Sequence, residues 1–464
     1  MKCKSTGCKI TTVEITDDTI TGRGGLLFIL RYLEKIKIFS IIEKTLGGVC
    51  KNKKGKPAEF ILRQVMAKMI DGSDPSIKGF DRLREDEGYA SEIEVEKEEM
   101  VSSHMVKRFF RKFVGLKYKL YRKVLQELFV WRLMVVQPSI IILDIDTMVL
   151  DNDDAKKREG VDVTYKNKRG YQPLQISWGN KIVDALFRRG SVHSNHGNDV
   201  QQMVAKIVSI IRKRYREDVP ILLTSDSGFM DEKNFEYFEK VLKIFYICYG
   251  KLYDSVKEYV QAVDREGFKE YRNNNTTWEY YEFGSKLKSW KQFRRTIFTR
   301  LLQEKGQLLL EFARPDAVLY SNLGVDLQMT KQFLASGNRG YLGAKKIIEL
   351  AHGRGASELT NRSFKEFMGR EQLPFKLFGM NGAYYYVQVI AHFLYECYKE
   401  DVAHDIIPMT CYPTTFRRKL IDFAAKIIQT GNRIILNVTR AIWESNNIEQ
   451  LWRRCNNPIA LSAQ

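Results

Sequence analysis

The stretch Ser139–Asp151, SIIILDIDTMVLD, places two carboxylates inside a run of apolar, mostly β-branched residues. A run of this kind is typical of a strand buried within a sheet. Side chains alternate between the two faces of a strand, so we expect Asp144 and Asp146 to project from the same face. Aspartates are rarely buried without a partner. Either basic side chains neutralise this pair, or the pair holds a metal ion.

The chain is long enough for two or three domains and carries a strong positive charge. It has 464 residues, of which 44% are hydrophobic, an ordinary fraction for a protein with a buried core. Its 75 Lys and Arg residues outnumber its 56 Asp and Glu residues, which gives a formal net charge of +19. The excess is spread along the chain, which favours a polyanionic partner, most simply nucleic acid, over a merely basic protein.

The composition also predicts the cellular compartment. No apolar run approaches the ~20 residues of a membrane-spanning helix, and the first residues lack the apolar centre of a signal peptide. The seven cysteines follow neither a zinc pattern nor a disulfide pattern, so reduced thiols are expected. We therefore expect a cytoplasmic protein without a membrane partner.

Residues 24–135 predict a helical region, because their apolar residues recur at three- and four-residue intervals. In the segment SSHMVKRFFRKF, Ser102 or Ser103 can cap a helix whose phenylalanines share one face. Four basic residues lie mostly away from that face, namely Lys107, Arg108, Arg111 and Lys112. This basic surface either binds DNA, through its grooves or phosphates, or is only exposed to solvent.

From Pro138 onward, the pattern changes to strands that alternate with helices. A three-stranded antiparallel meander is predicted from three successive segments, which are SIIILDIDTMVL, YQPLQISW and KIVDALFRRG. Gly179 and Asn180 form the turn between the second and the third segment. Helices and strands then alternate, which predicts parallel pairing. The predicted fold class is therefore α/β, or α+β overall, with a mixed sheet flanked by helices. This order is similar to that of the ribonuclease H-like fold.

These patterns divide the chain into four regions. Strands rich in aromatic and β-branched residues interrupt the α/β order and predict an inserted antiparallel β subdomain. The tail TFRRKLIDFAAKIIQTGNRIILNV predicts a basic helix, a Thr-Gly-Asn stop and a last strand. The predicted division is an N-terminal helical, DNA-binding region at 1–136, the first part of the core at 137–264, the β subdomain at 265–340, and the second part of the core with a C-terminal helical region at 341–464.

Three carboxylates from separate parts of the chain form a candidate site. Asp146 lies on the first core strand, Asp226 lies where a buried strand turns into a helix, and Glu358 lies on a long helix after the insertion. Ligands gather at the carboxyl ends of strands in open α/β sheets. Each residue also has a plain structural explanation: an ion pair with a core arginine, a helix cap or an exposed helical position. Only the set of three points to a function.

Carboxylates that converge from rigid elements are the ligands that two-metal phosphodiester chemistry needs. Two divalent ions ~3.5–4 Å apart activate a hydroxyl or water and stabilise the leaving oxygen. Mg²⁺ prefers carboxylate and water oxygens, and Mn²⁺ takes similar ligands. Asp146 would bridge both ions, while Asp226 and Glu358 would each hold one. Asp144 is the alternative first ligand, since it shares the face of Asp146.

The helix that carries Glu358 also carries two basic residues at helical spacing. Arg354 precedes Glu358 by four residues and Lys365 follows it by seven, so the three lie within a ~60° arc of one helix face. An acidic ligand flanked by two cations suits a metal ion beside a phosphate backbone. The plain alternative is an Arg/Glu pair on a solvated face, which would be favoured if the two aspartates were absent.

Taken together, these segments resemble the bacterial insertion-sequence transposases, which carry a DDE catalytic triad on a ribonuclease H-like core. The Arg-xxx-Glu-xxxxxx-Lys spacing is similar to the Tyr-Arg-Glu-Lys signature of the cut-and-paste branch with a β-strand insertion. The resemblance extends from GGLLFIL to Leu436 and includes LDIDT, SDSGFM and GRGASE. It has one departure, because Ala351 stands where the tyrosine of the signature is expected.

The resemblance implies an enzyme that excises a DNA element and reinserts it. Such enzymes bind terminal inverted repeats, pair two element ends within a dimer, cleave the DNA and join 3′ ends to target DNA. Asp146, Asp226 and Glu358 would be catalytic ligands of two Mg²⁺ ions, and Arg354 and Lys365 would contact DNA phosphates. The implied partners are double-stranded DNA, as element ends and as target, and a second copy of the chain, in a bacterial cytoplasm and associated with the nucleoid.

Two other functions fit the same residues. A metal-dependent nuclease of this fold would keep the carboxylates but would not join DNA ends. A catalytically inactive DNA-binding protein that descends from a transposase usually loses a carboxylate, and all three are present here. In the insertion, Trp278 or Trp290 can stack on an extruded base, although packing in the core is the favoured expectation for either indole.

Overall fold

The computed structural model describes residues 12–50, 55–310, 313–431 and 433–461. In these ranges, no helix combines the length and the apolar character that a membrane crossing needs. The cysteines in these ranges are free thiols, as the sequence predicts, and they are Cys50, Cys248, Cys397, Cys411 and Cys455. Cys3 and Cys8 lie outside the described residues.

The N-terminal region is helical, as its periodicity predicts. After the short strand β1 (Thr19–Thr21), its helices are α1 (Leu26–Lys35), α2 (Ile38–Cys50), α3 (Ala58–Asp71), α4 (Gly79–Leu83), α5 (Glu87–Glu92), α6 (Ser103–Arg111) and α7 (Tyr121–Val136). Ser102 caps α6, because its side chain accepts a hydrogen bond from the backbone N–H of Met105. Phe109 and Phe110 are buried. The apolar face of α6 therefore packs inward, and its basic face is exposed.

A mixed sheet lies at the centre of the core. The strands of this part of the chain are β2 (Ile141–Thr147), β3 (Leu150–Asp151), β4 (Asp162–Val163), β5 (Arg169–Tyr171), β6 (Leu174–Trp178), β7 (Lys181–Leu186), β8 (Ile221–Ser225) and β9 (Phe245–Tyr249). β2, β6 and β7 form the predicted antiparallel meander, and β8 pairs in parallel with both β2 and β9. The resulting order β7-β6-β2-β8-β9 is that of a ribonuclease H-like sheet, which confirms the predicted fold class.

The core also contains a small second sheet, which was not predicted, and the helices that were predicted to alternate with its strands. The chain between β2 and β6 forms a small separate antiparallel sheet, in which the strand order is β3-β5-β4. β4 and β5 are the two strands of a hairpin. The helices that accompany the core strands are α8 (Asp199–Arg214), α9 (Glu232–Glu236) and α10 (Asp254–Gln261). The hairpin contributes to the site described below.

The predicted insertion is antiparallel and continues the central sheet. Its strands are β10 (Lys269–Asn273), β11 (Thr276–Ser285), β12 (Arg294–Glu304), β13 (Gln307–Leu308) and β14 (Asp316–Ser321). β14 pairs with the edge of β9, where Leu319 lies opposite Tyr249. This pairing satisfies the backbone groups of β9 and joins the insertion to the core in one ten-stranded sheet.

Helices return after the insertion. They are α11 (Leu327–Ala335), α12 (Ala344–His352), α13 (Gly355–Met368), α14 (Phe378–Tyr398) and α15 (Pro413–Leu420), and the chain continues with β15 (Ala425–Thr430), β16 (Arg433–Val438), α16 (Arg440–Ser445) and α17 (Ile448–Asn456). α14 is buried along nearly its whole length and packs against α3, α6 and α7. It therefore links the N-terminal helices to the core.

The prediction that the basic tail helix runs up to the Thr-Gly-Asn stop is wrong. The helix ends at Leu420, and Ala425–Thr430 is a strand. This segment pairs on one side with β1, which is distant in the sequence, and on the other with β16, which follows it directly in the chain. Tertiary pairing therefore outweighs the local helical pattern of AAKIIQ.

Candidate active site

β2 presents its two aspartates on one face of the sheet, as the alternation of side chains predicts. Along this strand, buried residues alternate with the partly exposed Asp144 and Asp146. Asp144 Oδ1 accepts a hydrogen bond from Thr224 Oγ1 of the neighbouring β8, at 2.6 Å. Asp146 Oδ1 accepts one from the backbone N–H of Thr147, at 2.8 Å. Both carboxylates are thus held at the carboxyl half of the central strand.

A basic side chain pairs with Asp144 and lies near Asp146, so the expectation of a basic partner is met in part. Arg354, directly before α13, donates through Nε to Asp144 Oδ1 at 2.6 Å and through Nη2 to the backbone oxygen of Ile145 at 3.2 Å. The same Nη2 lies 3.9 Å from Asp146 Oδ1. Burial disfavours the charged guanidinium, but the nearby aspartates outweigh burial and raise the pKa of Arg354.

Asp226 lies at the carboxyl end of β8, the strand beside β2. Its Oδ1 accepts a hydrogen bond from the backbone N–H of Gly228 at 2.8 Å, so it caps the short helical turn Ser227–Phe229. The cap proposed as the plain structural explanation is therefore present. The position is equally that of a ligand residue, because the carboxyl ends of adjacent parallel strands meet at one edge of a sheet.

One cleft brings the three predicted carboxylates together. Asp146, Asp226 and the exposed Glu358 line a cavity of about 670 Å³ at this edge of the sheet. The two basic residues predicted on the helix of Glu358, Arg354 and Lys365, line it as well. Residues separated by up to 219 positions in the sequence thus share one surface.

Burial and neighbouring charges both change the pKa of Asp146. Burial, which disfavours a charged carboxylate, is the main cause that raises the pKa of Asp146 to about 6. The charges of Asp144 and Asp226 raise it further, whereas Arg354 opposes the rise. Clustered carboxylates that repel one another favour the binding of a cation.

The donor set suits Mg²⁺ in its chemistry, since it consists of carboxylate oxygens. In the part of the chain that the structure describes, however, no group of three or more histidine, cysteine or acidic side chains is arranged to hold a metal ion. Asp146 Oδ2 instead accepts a hydrogen bond from Asn361 Nδ2 of α13, at 2.9 Å. Joint coordination by the three carboxylates therefore requires some of these contacts to change.

The remaining predicted DNA contacts lie in two places. Lys365 lines the cleft, and its Nζ lies 2.8 Å from Glu371 Oε2, so a carboxylate is its present partner. Among the described residues that line the cleft, none belongs to α6. On that helix, Lys107, Arg108 and Arg111 are exposed, whereas the nearby Lys112 donates through Nζ to the backbone oxygen of Cys50 at 3.2 Å.

Several residues of the cleft were missed by the sequence analysis, among them Tyr165, Lys166, Tyr249 and Asn361. Tyr165 and Lys166 form the tip of the hairpin between β4 and β5. Asn167 could have predicted a turn here, because asparagine is common in turns and tolerates the left-handed region, where this residue has a φ of 55°. No feature of the sequence predicts that Asn361 is a site residue, because a single asparagine within a helix belongs to no spacing pattern. Ala351, which replaces the expected tyrosine, also lines the cleft, and so do the rings of Tyr165 and Tyr249.

The two tryptophans of the insertion differ in burial, and only Trp290 packs in the core, which was the favoured expectation for both. Trp290 is 5% exposed and contacts Tyr320 edge to face, with ring centroids 4.8 Å apart. The half-buried Trp278 is stacked against Tyr271 at 5.6 Å and against His352 at 4.9 Å. Neither indole belongs to the lining of the cleft among the described residues.

One family model matches nearly the whole chain. The model of the family described as "Transposase DDE domain group 1" matches residues 4–457. No curated protein sequence matches the chain. Among solved structures, the cryo-EM structure of a piggyBac transposase synaptic complex with hairpin DNA is similar, with a TM-score of 0.38 and 12% sequence identity, over 86% of this chain and 79% of that chain.

Proposed function

Since the chain belongs to the DDE-domain transposase family, we propose that it is a DNA transposase that cuts a mobile element at its terminal inverted repeats and joins the 3′ ends to target DNA. The observation that carries the proposal is the single cleft that Asp146, Asp226 and Glu358 share. Acidic residues from two adjacent strands and one helix are a suitable arrangement for phosphodiester chemistry.

We assign the metal ligands to the three carboxylates. When bound, two Mg²⁺ ions, or Mn²⁺ in their place, would activate the attacking oxygen and stabilise the leaving one. Asp146 would be the shared ligand, because its strand is the neighbour of the strand that ends at Asp226 and its Oδ2 accepts a hydrogen bond from Asn361 of α13. Asp144 is the weaker candidate, because Arg354 and Thr224 already contact its Oδ1.

Other side chains would hold the DNA. Lys365 would pair with a phosphate after it leaves Glu371, and Arg354 would keep the start of α13 close to the aspartates while it faces the DNA end. The net charge of +19 supports a DNA partner, since phosphate contacts dominate the affinity of such complexes. Two ends must be processed together in transposition, so we propose that the chain acts as a homodimer on DNA.

A cleavage and strand-transfer assay tests the proposal. Purified protein is incubated with Mg²⁺, a target plasmid and a labelled duplex that carries the element end, as read from the DNA that flanks the gene. Wild type should nick the duplex and join it to the plasmid. Asp226→Asn should lower both rates by at least about 10³-fold, because a ligand of the ions is lost.

Asp231→Asn is the matched control. Asp231 caps α9 a few residues after Asp226, and asparagine caps helices equally well, so this variant should retain the wild-type rate. Cleavage by wild type without joining, even of pre-cut ends, would identify a nuclease instead. DNA binding without cleavage would identify a catalytically inactive relative. Full activity of Asp226→Asn would overturn the assigned site.

A further inference from the structure

The hairpin between β4 and β5 reaches the cleft that holds the candidate catalytic carboxylates. Tyr165 and Lys166 at its tip line the cleft together with Asp146 and Asp226. Tyr165 is 58% exposed, an unusual state for a large aromatic side chain inside a concave site. Nothing in the function proposed so far uses either residue.

The fold presents this tip in a defined conformation. The backbone N–H and the hydroxyl of the buried Thr164 both donate to the backbone oxygen of Lys168, each at 2.8 Å. The backbone N–H of Asn167 donates to the oxygen of Thr164 at 3.0 Å. At the base of the hairpin, β5 pairs with β3, which follows the strand of Asp146 closely. The tip is therefore positioned relative to the aspartates.

The two side chains at the tip have the chemistry of DNA contacts. A phenol donates one hydrogen bond and offers a flat ring, and an ammonium pairs with phosphate. Lys166 Nζ lies 5.7 Å from the centre of the Tyr165 ring, so the two groups act at one place. DNA that reaches Asp146 and Asp226 must enter the space that this tip lines.

We propose that the hairpin tip binds the DNA strand that is cut, with Lys166 paired to a phosphate and the Tyr165 hydroxyl donating to the phosphate beside the cleaved bond. The inference rests on the proposed function, because it assigns a DNA contact to the same cleft. It adds a DNA-binding element of the chain that lies outside the helix of Glu358 and outside α6.

The chain offers matched controls for both residues. Lys168 lies on the same hairpin, but its Nζ is within 3.5 Å of Asp151 and 3.3 Å of Asp153, and it does not line the cleft. Lys168→Ala should therefore have little effect. Tyr253 is 41% exposed and also lies outside the cleft lining, so Tyr253→Phe tests the loss of an exposed phenol hydroxyl elsewhere. All variants are first checked for wild-type thermal unfolding.

The first measurement is the binding of a fluorescent duplex of about 30 base pairs and arbitrary sequence, at several salt concentrations. Lys166→Ala should weaken binding and lower the slope of log affinity against log salt by about one, the effect of one lost phosphate contact. Lys168→Ala should keep the wild-type slope. Equal slopes for wild type and both variants would overturn the lysine contact, whether or not the protein cuts DNA.

The second measurement is cleavage of the element end in Mg²⁺. Tyr165→Phe keeps the ring but removes the donor, so it should cut about 10-fold more slowly while its DNA affinity stays within about threefold. Tyr253→Phe should cut at the wild-type rate. If wild type cuts and Tyr165→Phe cuts equally fast, the tyrosine contact is refuted while the proposed function stands. If wild type neither cuts nor binds DNA, both proposals fail.

Discussion

Arg354 Nε lies 2.6 Å from Asp144 Oδ1, and this contact joins the start of α13 to the central strand of the sheet. Both side chains are only 13% exposed. The pair explains why the helix of Glu358 lies beside Asp146, although more than 200 residues separate the two carboxylates. A cation that was expected to meet DNA phosphates is thus also a structural partner of the acidic site.

Removal of Arg354 should destabilise the protein. Arg354→Gln leaves Asp144 without its cation in a poorly solvated place, and such a loss costs about 3 kcal/mol in free energy of unfolding. Asp144→Asn should cost a similar amount. The double variant should lose less than the sum of the two, because both changes break one interaction. Urea unfolding of the four proteins in EDTA measures this coupling.

Arg362 supplies the control for that cycle. It follows on the same helix, is exposed and lies over the ring of Tyr412, and among the described residues its side chain has no acidic partner. Arg362→Gln should change the free energy of unfolding by less than about 1 kcal/mol, the value of one exposed cation–π contact. Strictly additive effects of Arg354→Gln and Asp144→Asn would show that the ion pair contributes nothing.

The stability of the metal-free protein should depend on Asp146. The pKa of its carboxyl is raised to about 6, mainly by burial. Such a group contributes stability at pH values below its unfolded-state pKa and loses that contribution as the pH rises through the folded-state pKa. In EDTA, the free energy of unfolding of wild type should therefore fall by about 1–3 kcal/mol relative to that of Asp146→Asn as the pH rises from about 4 to about 7. Denaturant unfolding at several pH values measures the difference. A difference that stays constant with pH would contradict this account.

Lys365 should bind DNA more tightly when its present partner is removed. Glu371 Oε2 accepts from both Lys365 Nζ and the backbone N–H of Asp151, so it competes with a phosphate for the lysine. Glu371→Gln should strengthen DNA binding by about 2- to 5-fold, the effect of one partly exposed ion pair. In a Lys365→Ala background, the same change should have no effect. Fluorescence anisotropy with a labelled duplex tests both cases, and equal gains in the two backgrounds would exclude a phosphate contact of Lys365.

The exposed basic face of α6 should contribute to DNA affinity without affecting the chemistry. A triple variant is made with alanine in place of Lys107, Arg108 and Arg111. The slope of log affinity against log salt should be smaller for this variant by about two to three, since each lost phosphate contact lowers the slope by about 0.9. Lys112→Ala should have a smaller effect, because that side chain already contacts Cys50. An unchanged slope for the triple variant would mean that this face is only solvated.

The residues that the sequence predicts well are those whose position follows from a local pattern. Asp144 and Asp146 alternate with buried residues on a strand, and this alternation fixes their common face. Asp226 ends a buried strand, and Glu358 has helical spacing to Arg354 and Lys365. A sheet with parallel strands then brings such positions to one edge, so the cleft follows from topology.

The contacts that the sequence does not predict depend on distant partners. The ion pair of Arg354 with Asp144 and the hydrogen bond from Asn361 to Asp146 join α13 to β2, and no spacing rule links these segments. The strand Ala425–Thr430 pairs with β1, which lies some 400 residues earlier in the chain. The hairpin of Tyr165 was missed because its strands have only two and three residues, too few for a periodic signal.

The most direct test of the account counts the metal ions that the three carboxylates hold. Electron paramagnetic resonance measures free Mn²⁺, and hence bound Mn²⁺, during titration of the complex with the element end. Wild type and Asp231→Asn should bind about two ions per chain at the site. Asp146→Asn, Asp226→Asn and Glu358→Gln should each bind fewer, with the largest loss for Asp146→Asn. Wild-type binding by all three variants would contradict the central claim that these side chains form one metal site.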